Sequence, residues 1–335
     1  MKHANISLFV PHMGCPHQCS FCNQKTISGS VRELTPAEVT ETLNKAVSDG
    51  VDPHNTEIAF FGGSFTAIER NYMVSLLEAT QPFIKTGMFS GIRISTRPDA
   101  IDHEVLNILK KYGVSAIELG AQSTDPDVLT KNRRGHTRED IFNSSRLIKE
   151  MGFSLGLQMM TGLLGDTDEK ALQTCKDIIF LKPDTVRIYP TITLEGTHLG
   201  ELYKAGEYKP QSLEDAVSLC GKLLKAFYDN HIRVIRLGLH SGGNVEEGYL
   251  AGPYHPAFGE MCQSRVYLEN AVEKLKSLDA ENKSITLYVN PTEISKMTGQ
   301  KGANKEKLRS MGYNVSVKGD STLKKYEIKP EINER

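Results

Sequence analysis

Cys15-Pro16-His17-Gln18-Cys19-Ser20-Phe21-Cys22 places three thiols at the spacing C-x3-C-x2-C. Three thiolates so spaced can hold three corners of a [4Fe–4S] cubane, whereas a fully protein-ligated cluster takes four. Three ligands leave one iron open, and an open metal position is where a substrate or cofactor can bind. Zinc with His12 or His17 as fourth ligand is the competing reading, and three thiols with no metal is the third. Zinc loops carry a second Cys or His pair further along, and none follows here. The loop leaves an apolar strand at 5–10, so the cysteines sit just past a strand's C-terminal end.

Outward from that loop, strand-like and helix-like stretches alternate. Thr35-Pro36-Ala37-Glu38 supplies an N-cap, a proline in the first turn and a capping-box glutamate, opening a helix that runs to about residue 49. Strands are expected at 56–61, 91–96, 114–119, 153–159 and 185–189. Helices are expected at 102–112, 137–151 and 168–181. Such alternation builds parallel sheet from βαβ units, either as an open doubly wound sheet or as a partial barrel. The cysteines, Gly62-Gly63-Ser64, Arg97, Gln122 and Gln158 all fall at or just past strand C-terminal ends, the face on which α/β barrels carry chemistry. That placement selects a partial (β/α)6 TIM-type barrel.

The pattern loosens after about residue 210. A helix (212–228) and a strand (232–237) precede a glycine-rich stretch holding His240, Tyr254 and His255, followed by a helix at 264–278. The last segment reads as strand (285–289), helix (291–297), Gly299-Gln300-Lys301-Gly302, helix (303–311), then strands at 314–317 and 324–328. The expected division is a core over 1–235, an extension over 236–280 and a small α/β module over 281–335.

Hydrophobic content of 39% and charged content of 24% describe an ordinary globular chain. A formal net charge of −1 argues against a general polyanion binder. Residues 281–335, however, carry 11 Lys and Arg against 7 Asp and Glu, which suits either an anionic partner at that end or solvated helix faces. Six cysteines, three of them clustered, do not make a disulfide framework. Cys175, Cys220 and Cys262 are expected as buried free thiols. The N-terminal apolar run is too short for a signal h-region, and no stretch approaches the ~18 apolar residues of a membrane span. The chain is expected to be cytoplasmic, with no membrane partner.

The three-cysteine loop, with an aromatic before the third cysteine, resembles that of the radical S-adenosylmethionine (SAM) superfamily. Ser95-Thr96-Arg97-Pro98-Asp99, Glu118-Leu119-Gly120-Ala121-Gln122-Ser123, Asn132-Arg133-Arg134-Gly135-His136-Thr137, Arg187-Ile188-Tyr189-Pro190-Thr191 and Glu195-Gly196-Thr197 resemble the radical SAM part of the Elongator catalytic subunit and its relatives. The likeness spans about residues 5–275 and overlaps with oxygen-independent coproporphyrinogen oxidases. It implies a [4Fe–4S] cluster on Cys15, Cys19 and Cys22, with SAM on the open iron. It also implies SAM contacts from Phe21, from Gly62, Gly63 and Ser64 toward the amino group, and from Arg134 toward the carboxylate. Gln122 and Gln158 match positions facing the ribose hydroxyls, and Ser95 stands where those relatives carry Glu. An electron donor such as flavodoxin or ferredoxin is implied. Two departures from Elongator stand out. Its first two cluster cysteines are spaced more widely, and no room is left here for its acetyltransferase domain, so carboxymethylation of a wobble uridine is not implied.

The tail's strand–helix–GxxG–helix–strand order resembles the K-homology RNA-binding module, whose GxxG loop clamps backbone phosphates. Gly299, Lys301, Gly302 and Lys305 are its candidate RNA contacts; a plain helix–helix turn is the alternative. The leading functional expectation is a radical SAM enzyme that modifies RNA, either tRNA or rRNA. A small-molecule or porphyrin-type oxidase or haem-handling protein, and an RNA-binding protein with a structural cluster, are the other two.

Overall fold

The computed structural model describes residues 4–10, 18–23, 32–239, 246–278 and 283–333. Its main sheet holds β1 (Ala4–Val10), β2 (Thr56–Gly62), β3 (Ile92–Thr96), β4 (Val114–Gln122), β5 (Ser154–Thr161), β6 (Thr185–Pro190) and β8 (Arg233–Leu237), side by side in that order. Every neighbouring pair is parallel. A doubly wound sheet reverses its strand order at a switch point. This order never reverses, so right-handed crossovers place all the connecting helices on one face. The sheet is the curled partial barrel of a TIM-type fold.

Parallel strands covered on both faces read as continuous apolar runs. Here they alternate, which shows that the two faces differ. Toward the helices point Ile58 and Phe60, Ile92 and Ile94, Ile117 and Leu119, Leu155 and Leu157, Val186 and Ile188, all buried. Toward the barrel interior point Glu57, Arg93, Glu118, Gln158 and Arg187, joined by ion pairs and hydrogen bonds. Small residues at Ala59, Ala116 and Gly156 on the same face leave room for these long side chains.

The capping box at Thr35 forms as its residues dictate: Thr35 Oγ1 accepts from the Glu38 amide while the Glu38 carboxylate accepts from the Thr35 amide, and the helix Pro36–Ser48 follows. The helix Asp168–Leu181 has the expected bounds. Other elements differ. The strand near residue 232 belongs to the main sheet, as β8 against β6, so the barrel has seven strands rather than six. It runs to Leu237, across the expected core limit at 235. A helix at Arg70–Lys85 has no counterpart in the sequence reading. Its N-cap is Glu69, whose carboxylate accepts from the Asn71 and Tyr72 amides, and Pro82 lies inside it. The helix expected from residue 264 begins at Phe258. Two short strands, β7 (Thr193–Leu194) and β9 (Tyr249–Ala251), pair antiparallel outside the barrel.

In the tail, β10 (Ser284–Val289) lies between β11 (Asn314–Gly319), parallel to it, and β12 (Lys329–Ile332), antiparallel. The last strand lies five residues beyond the expected 324–328. Tyr326 adopts φ +63°, a left-handed turn that no strand accommodates. That turn is anchored to the helix Phe258–Ser277: the Tyr326 amide donates to Tyr267 Oη at 2.8 Å, and Asn270 Nδ2 donates to the Tyr326 carbonyl at 2.9 Å.

Candidate active site

The C-terminal ends of β1 to β4 converge where the cysteine loop returns to the barrel. Gly62 ends β2 with φ +109°, and a Cβ there would lie 2.5 Å from the Val10 carbonyl oxygen. Only glycine permits that approach. The Gly63 amide then donates to Val10 O at 2.9 Å, tying β2 to the strand end from which the cysteine loop departs.

Cys15 lies outside the described residues, as do His12, His17 and His240. Cys19 is buried at 5% exposure and Cys22 is partly buried. The Cys22 amide donates to the Cys19 carbonyl at 3.1 Å, closing a turn between the two cysteines. Ser20 between them fixes the turn to the barrel. Its hydroxyl donates to Asn132 Oδ1 at 2.6 Å and its amide to Asn132 O at 3.2 Å. Asn132 is fully buried, and its Nδ2 donates to the Val128 and Leu164 carbonyls. One asparagine thus joins the cysteine loop, the β4 loop and the β5 loop. Sequence reading passed over it except as part of a motif; the signal was an Asn in an otherwise basic run.

Arg134 is buried. Its Nη1 donates to Cys19 Sγ at 3.0 Å and its Nη2 to the Gly120 carbonyl at 2.6 Å, while its guanidinium lies 5.9 Å from the Phe21 ring centroid. Arg97, itself paired with Asp99, donates to the Arg134 carbonyl. A cation beside Cys19 offsets the negative charge that a metal-bound thiolate carries. Arg133 faces solvent. His136 is buried next to this arginine; burial first, and then the Arg134 charge, lower its pKa to about 3, so it stays neutral at physiological pH.

Ser95 Oγ, Gln122 Oε1, Arg134 Nε and His136 Nδ1 are buried here without a hydrogen-bond partner among the described residues. Buried polar groups are normally paired, and such a concentration beside two cysteines fits a site shaped for a polar ligand. Gln122 reaches it through a bulge between Gly120 and Gln122, at φ +65°. Other candidates are already engaged within the protein. Ser64 Oγ bonds Thr96 Oγ1 at 2.8 Å and accepts from the Arg97 amide at 3.1 Å. Gln158 Nε2 donates to Glu118 Oε2 at 3.1 Å, below the mouth. Both therefore support the site's walls in this structure. Cys175, Cys220 and Cys262 are buried; burial pushes the Cys175 thiol up to about 12, which makes it a poor ligand. Tyr254 bonds Glu246, and His255 Nδ1 caps the Ala257 amide.

Residues 9–178 match the Radical SAM superfamily, and residues 183–269 match the Radical_SAM C-terminal domain. The chain belongs to the radical SAM superfamily. It is a radical SAM enzyme, and its cofactors are a [4Fe–4S] cluster and S-adenosylmethionine. Among curated proteins it resembles the tRNA uridine(34) acetyltransferases of Methanocaldococcus jannaschii (29% identity over 256 residues) and Methanocaldococcus infernus (31% over 257). Each match covers 64% of this chain and about half of the relative, 47% and 48% respectively. Elongator complex protein 3 of Homo sapiens is 35% identical over 137 residues, 40% of this chain and 25% of that protein. Among solved structures, the archaeal Methanocaldococcus infernus Elp3 with an N-terminal deletion superposes with TM-score 0.63 at 21% identity, over 83% of this chain and 64% of that one. Among the described residues no helix is long and apolar enough to cross a membrane.

Arg134→Ala is expected to weaken SAM binding by about 2 kcal/mol, roughly 30-fold, by leaving buried polar atoms unpaired. Iron content should be unchanged, since the cysteines remain. Arg133→Ala, at an exposed neighbour, should leave both intact. Calorimetric SAM titration of the three proteins checks this, and a reversed order of effects would refute the assignment to Arg134.

Proposed function

We propose that this chain is an RNA-modifying radical SAM enzyme acting on tRNA or rRNA. The observation that carries the proposal is its likeness to proteins named tRNA uridine(34) acetyltransferases along their shared radical SAM region. When bound, the cluster and SAM supply a 5′-deoxyadenosyl radical able to take hydrogen from an unactivated C–H, chemistry that belongs to the cofactors. The chain's own part is to hold three thiolates, pair the SAM carboxylate with Arg134 and exclude water. The neutral His136 and the partnerless Gln122 Oε1 and Ser95 Oγ complete the polar wall on the β3 and β4 side.

The tail supports the RNA reading. Gly299 has φ +78°, and a Cβ on it would stand 2.8 Å from the Asn304 amide, so the GxxG turn needs its first glycine. Lys301 is exposed and Lys305 partly so. Asn304 Nδ2 donates to Ser264 O and Oγ, both at 3.0 Å. Ser264 lies in the second turn of the helix Phe258–Ser277, whose first residue packs against Gly238 just past the end of β8. The loop is thereby joined to the helix that follows β8.

Mass spectrometry of total RNA from deletion and wild-type cells tests the function, which requires a nucleoside that disappears on deletion. Gln300→Asp with Lys301→Asp is expected to weaken RNA binding strongly and flatten its salt dependence, because acidic side chains there repel phosphates. Both positions are exposed, so fold and iron content should survive. Equal affinity at two salt concentrations would return the loop to a plain helix–helix turn.

A further inference from the structure

The barrel interior holds more positive charge than its carboxylates neutralise. Arg93 contacts Glu57 at 2.8 Å and Glu118 at 3.3 Å. Arg187 contacts both Glu118 oxygens, each at 2.8 Å. Arg236, on the same interior face, pairs in register with Arg187, just as Arg187 does with Gln158. Its Nε donates to the Gly238 carbonyl at 3.0 Å. Among the described residues no carboxylate reaches it. Burial works against its cation, Tyr189 partly offsets this, and the like charge of Arg187 adds to it.

A partly buried arginine with no counter-ion beside another arginine is unfavourable unless a ligand supplies the charge. The surroundings suit one. Tyr189 lies two residues along β6, its hydroxyl 3.5 Å from Arg187 Nη1. The Arg187 guanidinium lies 5.2 Å from the ring centroid of Phe61, the residue before Gly62. Two strand spacings, about 10 Å, separate Arg236 from Gln158 across the sheet, a length that a nucleoside bridges. Arg236 lies level with Arg187 and Gln158, one residue before the barrel's edge strand ends at Leu237, and is only partly buried.

We propose that Arg236, backed by Arg187 and Tyr189, is the substrate's oxyanion site, and that it seats a backbone phosphate of the RNA beside the reacting nucleotide. The identification of the oxyanion as phosphate rests on the RNA reading above; the site itself does not. An arginine fork suits a phosphate oxygen pair, and the neutralised Arg187–Glu118 pair keeps the floor rigid.

The test uses the anaerobically reconstituted full chain, with Arg236→Ala and Arg236→Lys. Two probes are titrated, total tRNA at several salt concentrations and coproporphyrin III as a carboxylate-bearing alternative. Arg236→Ala should lower tRNA affinity about tenfold and reduce the slope of log affinity against log salt by about one. Arg236→Lys should recover part of the affinity, because charge is kept and the fork is lost. Iron content and SAM affinity should match wild type and the thermal midpoint should hold or rise, since Arg236 has no ion pair to lose. Arg236-dependent binding of the porphyrin without tRNA binding would keep the oxyanion site and overturn the RNA reading. Unchanged affinity for both probes in Arg236→Ala, or a fall in thermal midpoint with no change in binding, would overturn the site.

Discussion

Anaerobically reconstituted protein is expected to hold about four irons and four sulfides per chain, and Cys15→Ala, Cys19→Ala or Cys22→Ala is each expected to abolish SAM cleavage. The size of the effect follows from ligand number. Removing one of three thiolates leaves two, and the other cysteines, Cys175, Cys220 and Cys262, are buried in helices. The turn at Cys19 is held in place: Ser20 is bonded to the buried Asn132, and Arg134 is bonded to the Cys19 sulfur. Cys175→Ala is the control. That thiol is buried in the helix Asp168–Leu181, so its loss should leave a small cavity and full activity. Iron and sulfide assays with 5′-deoxyadenosine detection decide the matter. A stoichiometric, tightly held zinc without iron in anaerobic preparations would sink it.

What the sequence disclosed was governed by local physics. The Thr35–Glu38 box and the 168–181 helix were legible because caps and apolar periodicity lie within a few residues of each other. The helix Arg70–Lys85 was not: Glu is an uncommon N-cap, and Pro82 signals a break that the tertiary packing of Met73, Leu76, Leu77 and Phe83 overrides. β8 looked detached because its burial is incomplete, as an edge strand's is. The last strand was placed early because the left-handed turn at Tyr326 is secured by Tyr267 and Asn270, more than fifty residues away in sequence. In the site, cysteine spacing and Gly62-Gly63 are short-range signals. The bonding of Asn132 to Ser20 across 112 residues has no local signature. Nor does the engagement of Gln158 by Glu118, which takes to the barrel floor a side chain whose motif suggests a ligand contact.

That floor gives the largest expected effect on stability. Glu118 is 1% exposed and is bonded by Arg93, Arg187 and Gln158. Glu118→Ala would leave Arg187, whose side chain is 14% exposed, without a carboxylate, while Arg93 would retain Glu57. Breaking a buried pair from one side costs about 3–5 kcal/mol, because the surviving charge stays desolvated. Removing both partners together forfeits far less, since two desolvation penalties vanish with the attraction. Glu118→Ala is therefore expected to shift the urea midpoint strongly, whereas Glu118→Ala with Arg187→Met should recover much of the loss. The difference between the double variant and the sum of the singles measures the coupling. Additive singles, or a cost below about 1 kcal/mol for Glu118→Ala, would mean that water reaches the barrel floor and screens the pair. The same result would weaken the case at Arg236, whose unfavourable charge depends on a floor that excludes water.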